Sequence, residues 1–536
     1  MRSFRKSLSY FVHAALVAAT IGAFAASAAA QDNGAPEVSA AVQHDTLHSL
    51  RGTMPRPDDF FKDAGHGHPV HPLPWIDGAG SPEDGALQGF AFGSPGAPVL
   101  GSGVDGVGTG FSGPQGSFTV NSEPPDTVGA VGATQYMQVV NTGLAVFDKA
   151  TKAVVYGPVP TSTLWQGFGG QCETSNDGDA VVVYDKAAGR WIVSQFAVTT
   201  TPYLQCVAVS QTSNATGAWN RYAFSYGTVF PDYPKMGVWP DGYYETFNMF
   251  TGTFQGAKLC VYDRAKMLAG AAATQQCFQL SSSYGGVLPA DLDGATAPPA
   301  GSPNYHLNFT AGQLNLWKFH VDWTTPSNTT LTGPTAIPVA SFSAACSGGA
   351  CIPQAGTSQK LDSLADRLMF RNAYRNFGDH EALVVNHSVS AGGSGSPRKR
   401  PSGVRWYEIR SPGTTPLVFQ QSTFAPDSSF RWMGSIAQDK QGNMALGYSV
   451  SSSGINPAIR YTGRLATDAA NTMQAESSII EGTGSQSGHT RWGDYSAMTV
   501  DPADDCTFWF TSEYLQSSGD FIWSTRIASF KFPTCQ

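Results

Sequence analysis

Charged residues recur directly ahead of short runs that have the composition of β-strands. They are Asp126 before TVGAVG, Asp179 before AVVVYD, Asp232 before YPKMGVW, Arg367 before LMF, Arg431 before WMGS, and Arg491 with Asp494 before YSAMTV. In a radial β-repeat, the starts of equivalent strands meet around one axis. If these runs are equivalent, acids and arginines that are far apart in the sequence share one central funnel.

The acids of this predicted funnel have the chemistry of glycoside cleavage. Two carboxylates about 5–10 Å apart can hydrolyse a glycosidic bond, one as general acid and the other as nucleophile or base. We therefore predict that Asp126, Asp179 and Asp232 are the catalytic residues. The chemistry requires that at least two of them face the same ligand.

The arginines of the funnel predict an anionic substrate. A planar guanidinium binds a carboxylate or sulfate through two parallel hydrogen bonds. Arg367, Arg431 and Arg491 are predicted to bind such a group, and Asp494 is predicted to lie beside them at the substrate.

Aromatic and imidazole side chains complete the predicted site. Trp432 and Trp492 each follow one of the arginines and could stack on a sugar ring. His306 is the one histidine of the predicted funnel, and a lyase would need such a base. The alternative interpretation of these residues is structural. Asp and Arg could form ion pairs that connect neighbouring blades, and the tryptophans could pack between sheets.

Together these residues favour a hydrolase that degrades an anionic polysaccharide or glycoconjugate, with a lyase less favoured. The alternative is a non-catalytic protein that binds an extracellular polymer or a surface protein. A shallow, fully ion-paired funnel would favour binding, whereas unpaired carboxylates in a deep pocket would favour catalysis.

Three further clusters are interpreted as structural, each with a metal site as the less favoured alternative. Asp379-His380-Glu381, followed by His387, falls between the first and second strands of its unit and thus on the face opposite the funnel. The second comprises two acidic turns, one with Asp291 and Asp293 and one with Asp501, Asp504 and Asp505. The third is the tract His66-Gly-His68-Pro-Val-His71. No cofactor is therefore predicted, although structural Ca²⁺ remains possible in the acidic turns.

The elements that must position these residues are short strands in a loose repeat. A first strand, a tight turn such as DKAAG or DKQGN, a second strand, and one or two outer strands recur in units of about 45–60 residues. Such four-stranded units are typical of β-propeller blades. Seven units are expected, starting near residues 126, 179, 232, 305, 366, 431 and 491, and six remain possible because the fourth is weak.

Several segments carry a resemblance to known proteins. SEPPDTVGAVG, FGDHEALVVNHSV and MGSIAQDKQGNMALGYS resemble segments of secreted bacterial propeller-type proteins, and the plan of the units is similar to that of sialidase-like and other glycan-processing propellers. The resemblance covers about residues 115–535 and implies a propeller that acts on glycans. The Asp-box of true sialidases, S-x-D-x-G-x-T-W, is missing from every turn, which argues against that activity.

The composition of the sequence limits the cellular location and the binding partners that can be expected for the protein. Residues 1–30 have a basic start, a short apolar core and the small-residue site Ala28-Ala29-Ala30, which is typical of an export signal. No later segment is apolar enough for a membrane span, so a secreted or periplasmic, monomeric protein is predicted. The net charge of −8 argues against nucleic acid as a partner. Residues 31–120, rich in Gly, Pro and His, are interpreted as an irregular arm or pro-region, and residues 121–536 as the propeller.

Eight cysteines in an exported chain predict disulfides. Pairing between neighbours in the sequence gives Cys172–Cys206, Cys260–Cys277, Cys346–Cys351 and Cys506–Cys535. The last of these would tie the C-terminus to the preceding hairpin.

Overall fold

The strands fall into seven antiparallel units of four, of which three carry an added edge strand and two are joined into one sheet, and the protein is a seven-bladed β-propeller. The computed structural model describes residues 34–53, 66–67, 71–74, 82–91, 93, 96–392 and 396–536. The predicted export signal and His68 lie outside these residues. Within them, no helix is both long and apolar enough to cross a membrane.

Each blade runs from an innermost strand at the axis to an outer strand. Blade 1 is Val128–Val131, Gln135–Val140, Gly143–Asp148 and Val154–Pro160. Blade 2 is Val181–Asp185, Arg190–Ala197, Tyr203–Ser210 and Trp219–Gly227. Blade 3 is Phe230–Val238, Tyr243–Phe250, Phe254–Tyr262 and Thr274–Gln279. Blade 4 is Leu288–Asp293, Asn304–Thr310, Gln313–His320 and Thr330–Pro338.

The remaining three blades complete the ring. Blade 5 is Met369–Asn376, Glu381–Ser390, Ser402–Arg410 and Leu417–Phe424. Blade 6 is Phe430–Gln438, Met444–Ser452, Ile455–Arg464 and Ser477–Ile480. Blade 7 is Ala497–Val500, Phe508–Tyr514, Ser524–Lys531 and, from the other end of the chain, Val99–Asp105. The innermost strands of blades 4 and 5 also pair in parallel with each other.

The outer strand of blade 7 is the element that closes the ring. Val99–Asp105 pairs antiparallel with Ser524–Lys531, so the first blade-forming strand completes the last blade. The propeller therefore begins earlier in the chain than the residue 121 boundary that the sequence suggests. The segment VLGSGVD hides this role, because its glycines and serine break the alternation that marks a strand.

Other parts of the segment before residue 121 lie along the edges of blades. Gln43–Leu47 adds a fifth strand to blade 2, Glu37–Ala40 adds one to blade 3, and Leu87–Gln88 adds a short one to blade 5. His66–Gly67 pairs in parallel with Ser122–Glu123. Covering the outer strands in this way reduces the number of exposed sheet edges.

The core lies between the faces of neighbouring blades. Inner strands are buried on both faces, so their runs are almost continuously apolar, as in Trp191, Ile192 and Val193. Outer strands are partly exposed, as the pattern of Leu417–Phe424 shows. The repeated alternation of apolar strands and Gly, Asn or Asp turns is what makes the sheets predictable from the sequence.

Other elements are short connections. The helices are Gly170–Thr174 and Arg264–Leu268, and the second begins after Asp263, whose side chain accepts a hydrogen bond from Lys266 N at 3.0 Å. Short helical turns cover Leu50–Gly52, Thr161–Trp165, Pro326–Asn328, Ala345–Gly348 and Pro397–Lys399. Two small hairpins complete the set: Ser112–Gly113 with Gly116–Ser117, and Ala350–Gln354 with Thr357–Asp362.

All four predicted disulfides are confirmed. Cys172 pairs with Cys206, Cys260 with Cys277, Cys346 with Cys351, and Cys506 with Cys535. The second bond links two facing positions of adjacent strands in blade 3. The fourth ties the chain end to the turn between the first two strands of blade 7, as the sequence predicts.

One expected boundary is wrong. The fourth unit was expected to start near residue 305, but its innermost strand is Leu288–Asp293 and Asn304–Thr310 is its second strand. The first strand, LPADLD, contains a proline and two acids and does not read as a buried inner strand. Because of this shift of one strand, His306 lies in the second strand of blade 4 and not at the start of its innermost strand.

Candidate functional site

Six of the predicted funnel residues line one cavity of about 230 Å³ at the end of the ring where the innermost strands begin. They are Asp126, Asp179, Asp232, Arg367, Arg491 and Asp494. We call this the axial cavity and this end of the ring the upper face. His71, Phe196, Phe230, Tyr233 and Leu364 complete its lining.

A repeated backbone feature positions these side chains. In six blades the chain reaches its innermost strand through a residue with positive φ: Asp126 (49°), Asp179 (48°), Tyr233 (57°), Gly286 (59°), Met433 (54°) and Asp494 (57°). This left-handed conformation costs non-glycine residues roughly 1 kcal/mol or more, and aspartate tolerates it better than most. The repeat therefore holds three acids at matching positions around one axis.

Asp126 and Asp179 form a carboxyl pair. Asp126 is 2% exposed, and burial together with the hydrogen-bonded neighbour Asp179 raises its pKa well above the ordinary value. Tyr495 fixes the partner by donating its hydroxyl to Asp179 Oδ2 at 2.7 Å. Asp126 Oδ1 has no hydrogen-bond partner in the described part of the chain. Ionisation of Asp126 is therefore less favourable than that of an ordinary aspartate.

A buried lysine lies beneath this pair. Lys235 is fully buried, its Nζ lies 3.4 Å from the centres of both the Tyr233 and the Tyr495 ring, and it donates to Pro234 O at 2.8 Å. Burial lowers the pKa of Lys235 to about 7, against the opposing effect of Asp179 and Asp126. The charge under the cavity therefore changes near neutral pH.

The opposite wall carries a histidine and an arginine. His71 Nδ1 lies 3.3 Å from Asp232 Oδ2, and the hydrogen bond to Asp232 raises the pKa of His71. Arg367 binds Asp366 with contacts of 2.7 and 3.1 Å, donates to His71 O at 3.1 Å, and lies 4.5 Å from the centre of the Tyr233 ring. The guanidinium of Arg367 is therefore largely engaged by the protein itself.

Arg491 and Asp494 form the remaining ion pair of the axial cavity. Arg491 Nη2 donates to Asp494 Oδ2. Its Nε and Nη1, and Asp494 Oδ1, are buried and lack partners among the described residues. Buried donors without partners are rare in native structures, so these atoms are available to bind a polar ligand.

Arg431 is not part of the axial cavity, and its predicted role in substrate binding is not supported by its position. It is fully buried and is held by Asp427 (2.9 Å for each of two contacts) and by Glu476 (2.9 and 2.8 Å). The reason is register: the innermost strand of blade 6 has an irregularity between Trp432 and Ser435. The residue that matches Asp126 is therefore Met433, two positions after Arg431.

His306, Trp432 and Trp492 also lie away from the cavity lining. His306 is fully buried on the second strand of blade 4, and burial lowers its pKa to about 3. Trp432 and Trp492 are both fully buried, and their rings pack on each other at 5.8 Å. None of the three lines the axial cavity, because the imidazole is enclosed and the indoles pack between blades 6 and 7.

The cluster Asp379-His380-Glu381 has the geometry of a hydrogen-bonded turn. His380 Nδ1 lies 2.8 Å from Asp379 Oδ1 at the surface, and Glu381 accepts the hydroxyl of Tyr374 at 2.6 Å. His387 is buried and bonded to the Tyr407 hydroxyl at 2.9 Å. These residues are directed to different partners and do not form a common metal site.

A larger cavity, of about 350 Å³, lies at the opposite end of the ring, which we call the lower face. Its lining includes Asp185, Lys186, Trp239, Arg264 and Asp505. The acids here already have cationic partners: Arg264 binds Asp185 at 2.7 Å, and Arg375 binds Asp505 at 2.7 Å. We favour the smaller axial cavity as the functional site, because its polar groups are the ones left without partners.

The acidic turns considered for Ca²⁺ are on the lower face and are also neutralised by the protein. Arg371 binds both Asp291 (2.9 Å) and Asp293, and Lys149 binds Asp501 at 2.9 Å. Burial opposes ionisation of Asp293, yet Arg371 and Lys186 lower its pKa to about 2. Ion pairs supply the positive charge there, so calcium is not favoured in these turns.

Sequence reasoning missed two residues of the site. His71 comes from the segment before the ring, and only its place in the tract HGHPVH marks it. Tyr495 directly follows Asp494, and its role depends on the left-handed turn that precedes it. A search for aspartates followed by an aromatic residue at strand starts would have found Tyr233 and Tyr495 together.

No protein-family model matches the sequence, and comparison with curated proteins gives no match. Among solved structures, the N-terminal domain of Nup159 aligns at 7% identity with a TM-score of 0.35, over 83% of this chain and 99% of that chain. An α-L-arabinofuranosidase, Arb93A from Fusarium graminearum, aligns at 8% identity with a TM-score of 0.32, over 85% and 99%. An ulvan lyase of polysaccharide lyase family PL25 aligns at 12% identity with a TM-score of 0.30, over 78% and 81%. At these TM-scores the likenesses carry no argument about this chain.

Proposed function

We propose that the protein is an exported hydrolase that cleaves an anionic polysaccharide or glycoconjugate at the axial cavity. The observation that carries the proposal is the placement of Asp126, whose pKa is raised, beside Asp179 in a cavity that also presents the unpartnered donors of Arg491. A neutral carboxyl supplies a general acid, and free guanidinium donors supply a site for a carboxylate or sulfate.

Each polar residue then has a role that follows from its contacts. Asp126 donates the proton to the leaving oxygen, and Asp179, held by Tyr495, positions it. Asp232 is the nucleophile or base, oriented by His71. Arg491 binds the anionic group, while Arg367 keeps the opposite wall in place through Asp366.

The size of the cavity limits what enters it. Its volume of about 230 Å³ is below the ~300–1,000 Å³ that is usual for small-molecule sites. A single charged sugar unit or its acidic substituent therefore enters, and the rest of the polymer lies across the upper face. Cleavage from a chain end is favoured over cleavage along an extended groove.

A non-catalytic binding protein is the second candidate. It is favoured by the two ion pairs already present, Arg367–Asp366 and Arg491–Asp494, which resemble an arrangement built for stability. In that case the same cavity binds an acidic group without changing it.

The decisive experiment compares turnover with binding. Purified protein is incubated with uronate-containing, sulfated and neutral polysaccharides, and both new reducing ends and unsaturated products are measured. Asp126→Asn and Asp232→Asn are each expected to reduce the release of reducing ends by about 10²–10⁴-fold. Asp379→Asn, an exposed acid outside the cavity, is the matched control and should leave the rate unchanged.

Two results would contradict the proposed hydrolysis. If no polysaccharide is cleaved but an acidic one binds and Arg491→Ala abolishes that binding, the protein is a binding module. If unsaturated products appear instead of reducing ends alone, the reaction is elimination and the assigned roles are wrong.

Export is part of the proposal. Four disulfides support an oxidising compartment, and the N-terminal thirty residues have the pattern of a signal. Fractionation of expressing cells should find the processed protein outside the cytoplasm.

A further inference from the structure

A second cluster of ligand-type side chains lies where blade 7 meets blade 1. Glu123 is in the short strand Ser122–Glu123 ahead of blade 1, His489 precedes the innermost strand of blade 7, and Asp520 lies between that blade's second and third strands. One ligand atom from each lies within 4.8 Å of the other two. None of these residues lines the axial cavity.

The buried member of the cluster has an oxygen with no partner. The side chain of Glu123 is 1% exposed, and its Oε1 accepts a hydrogen bond from Phe521 N at 2.7 Å. Its Oε2 is buried, lies 3.8 Å from His489 Nδ1, and has no hydrogen bond to any described residue. An unsatisfied buried carboxylate oxygen is costly, so this atom indicates a missing cationic ligand.

The other two members form the open side of the cluster. His489 Nδ1 lies 2.7 Å from Asp520 Oδ1, and their side chains are 30% and 40% exposed. An ion can therefore enter from solvent and exchange this contact for two bonds to itself.

We propose that Glu123, His489 and Asp520 bind one divalent transition-metal ion of the zinc or manganese class. Imidazole nitrogen with two carboxylates suits these ions, whereas Ca²⁺ and Mg²⁺ prefer ligand sets made of oxygen alone. Zinc bonds to nitrogen and oxygen are about 2.0–2.2 Å long, so the ligand atoms of a tetrahedral site lie about 3.4 Å apart. His489 Nδ1 and Asp520 Oδ1, now 2.7 Å apart, must separate slightly, and His489 Nδ1 and Glu123 Oε2, now 3.8 Å apart, must approach slightly. The fourth position is left to water.

Phe521 N supports this assignment as an outer contact. By holding Glu123 Oε1, it fixes the carboxylate so that Oε2 is presented to His489. Such outer hydrogen bonds orient metal ligands in known sites. The ion would join the segment ahead of blade 1 to two loops of blade 7, and this role does not depend on the function proposed for the axial cavity.

A surface His–Asp pair elsewhere supplies an internal control. His380 Nδ1 and Asp379 Oδ1 are 2.8 Å apart, almost the same separation as in the His489–Asp520 pair. The clusters of three ligand atoms found among the described residues do not include this pair. A site that depends on the buried Glu123 must therefore be present at His489 and absent at His380.

The test uses the full-length exported protein after removal of metal with EDTA. Zn²⁺, Mn²⁺ and Ca²⁺ are titrated separately by calorimetry, and Co²⁺ is added as a spectroscopic probe of nitrogen ligation. We expect one equivalent of Zn²⁺ or Mn²⁺ to bind more tightly than Ca²⁺ and to raise the melting temperature. Visible Co²⁺ bands should appear in the wild type and change when His489 is removed.

The variants decide where the ion is bound. Glu123→Gln, His489→Ala and Asp520→Asn should each weaken binding by about 100-fold or more, since loss of an outer contact alone costs about 10–100-fold. His380→Ala should bind as the wild type does. Asp520→Asn changes a partly exposed loop residue. It therefore still tests metal binding if the substitution of the buried Glu123 impairs folding.

Three outcomes would overturn the proposal. The first is the absence of stoichiometric binding to the wild type. The second is tighter binding of Ca²⁺ than of Zn²⁺ and Mn²⁺, and the third is wild-type affinity in folded Asp520→Asn or His489→Ala protein.

Discussion

The two ends of the propeller axis are both rich in charge, but they use it differently. On the lower face, Arg371 bridges Asp291 and Asp293 of the neighbouring blade, and Arg375 holds Asp505 through two contacts of 2.7 Å. On the upper face, Asp126 forms no ion pair with another described residue, and two donors of Arg491 are without partners among those residues. Complete pairing ties blades together, whereas incomplete pairing leaves atoms that a ligand can satisfy.

This contrast separates two interpretations that the sequence alone leaves mixed. Aspartates and arginines near strand ends can be blade-to-blade ties or site residues, and this protein uses both. What distinguishes them is the balance of partners, which depends on the register of each strand. The predictions that follow test the contrast, beginning with the largest expected effect.

Replacing Arg371 by Met should give the largest loss of stability. The change leaves the buried Asp291 without its cation and Asp293 with Lys186 alone. Breaking a buried ion pair from one side costs about 3–5 kcal/mol. The free energy of unfolding is measured by denaturant titration, with Arg398→Met in an exposed turn as the control. A loss below about 1 kcal/mol would show that the lower face is not a structural tie.

Replacing Arg431 by Met should cost about 2–3 kcal/mol of stability without weakening binding of an acidic ligand. The residue is fully buried, but its partner Asp427 is partly exposed and can be rehydrated, so the loss is smaller than at Arg371. Stability and ligand affinity are measured on the same preparation. Weaker ligand binding with an unchanged free energy of unfolding would indicate that Arg431 binds the ligand.

Replacing Glu245 by Gln should reduce the loss of stability at high pH. Burial raises the pKa of Glu245 to about 7, above the ordinary value of 4.5, despite hydrogen bonds from Ser194, Tyr262 and Gln205. Because the folded state binds this proton more tightly, the stabilisation is full below pH 4.5 and is lost as pH rises through 7. The shift corresponds to at most about 3 kcal/mol.

The measurement for Glu245 is the change in the free energy of unfolding between pH 5 and pH 8. In Glu245→Gln this change should be smaller than in the wild type by about 2–3 kcal/mol. The other buried acids contribute equally to the pH dependence of both proteins, so their contribution cancels in the comparison with the wild type. Identical pH profiles would mean that Glu245 is ionised in the folded state and belongs with the fully paired acids.

Replacing Asp126 by Asn should have the smallest effect on stability, and of the opposite sign. Asn tolerates the left-handed conformation at φ 49°, and the change removes a buried carboxyl beside Asp179, so a gain of about 1 kcal/mol is expected. Asp293→Asn on the lower face is the matched comparison and should destabilise. A clear loss of stability in Asp126→Asn would indicate that Asp126, like the paired acids of the lower face, stabilises the contacts between blades.

Much of the fold follows from the sequence because each blade repeats the same pattern of apolar strands and polar turns. The position of Asp126 and Asp179 could be predicted, since each stands directly before an uninterrupted inner strand. Arg431 could not be placed, because the irregularity near Met433 is invisible in the sequence and changes which residue meets the axis. Val99–Asp105 was missed because its pairing partner is at the far end of the chain.

The same limit applies to the candidate sites. His71 reaches the axial cavity only because residues 71–74 dock on Asp366, whose Oδ2 accepts a hydrogen bond from Leu73 N at 2.9 Å. Glu123, His489 and Asp520 meet because the ring closes between blades 7 and 1. Proximity of this kind is a property of closure, and no local pattern encodes it.

The pairing of Val99–Asp105 with Ser524–Lys531 also sets the order of events during synthesis. The strand that closes the ring is made first and must wait for a partner that is among the last residues made. Such a distant contact slows folding, and the waiting chain exposes unpaired edges. The complete ring can therefore form only after nearly the whole chain has emerged, and this order of events is consistent with the export that we propose.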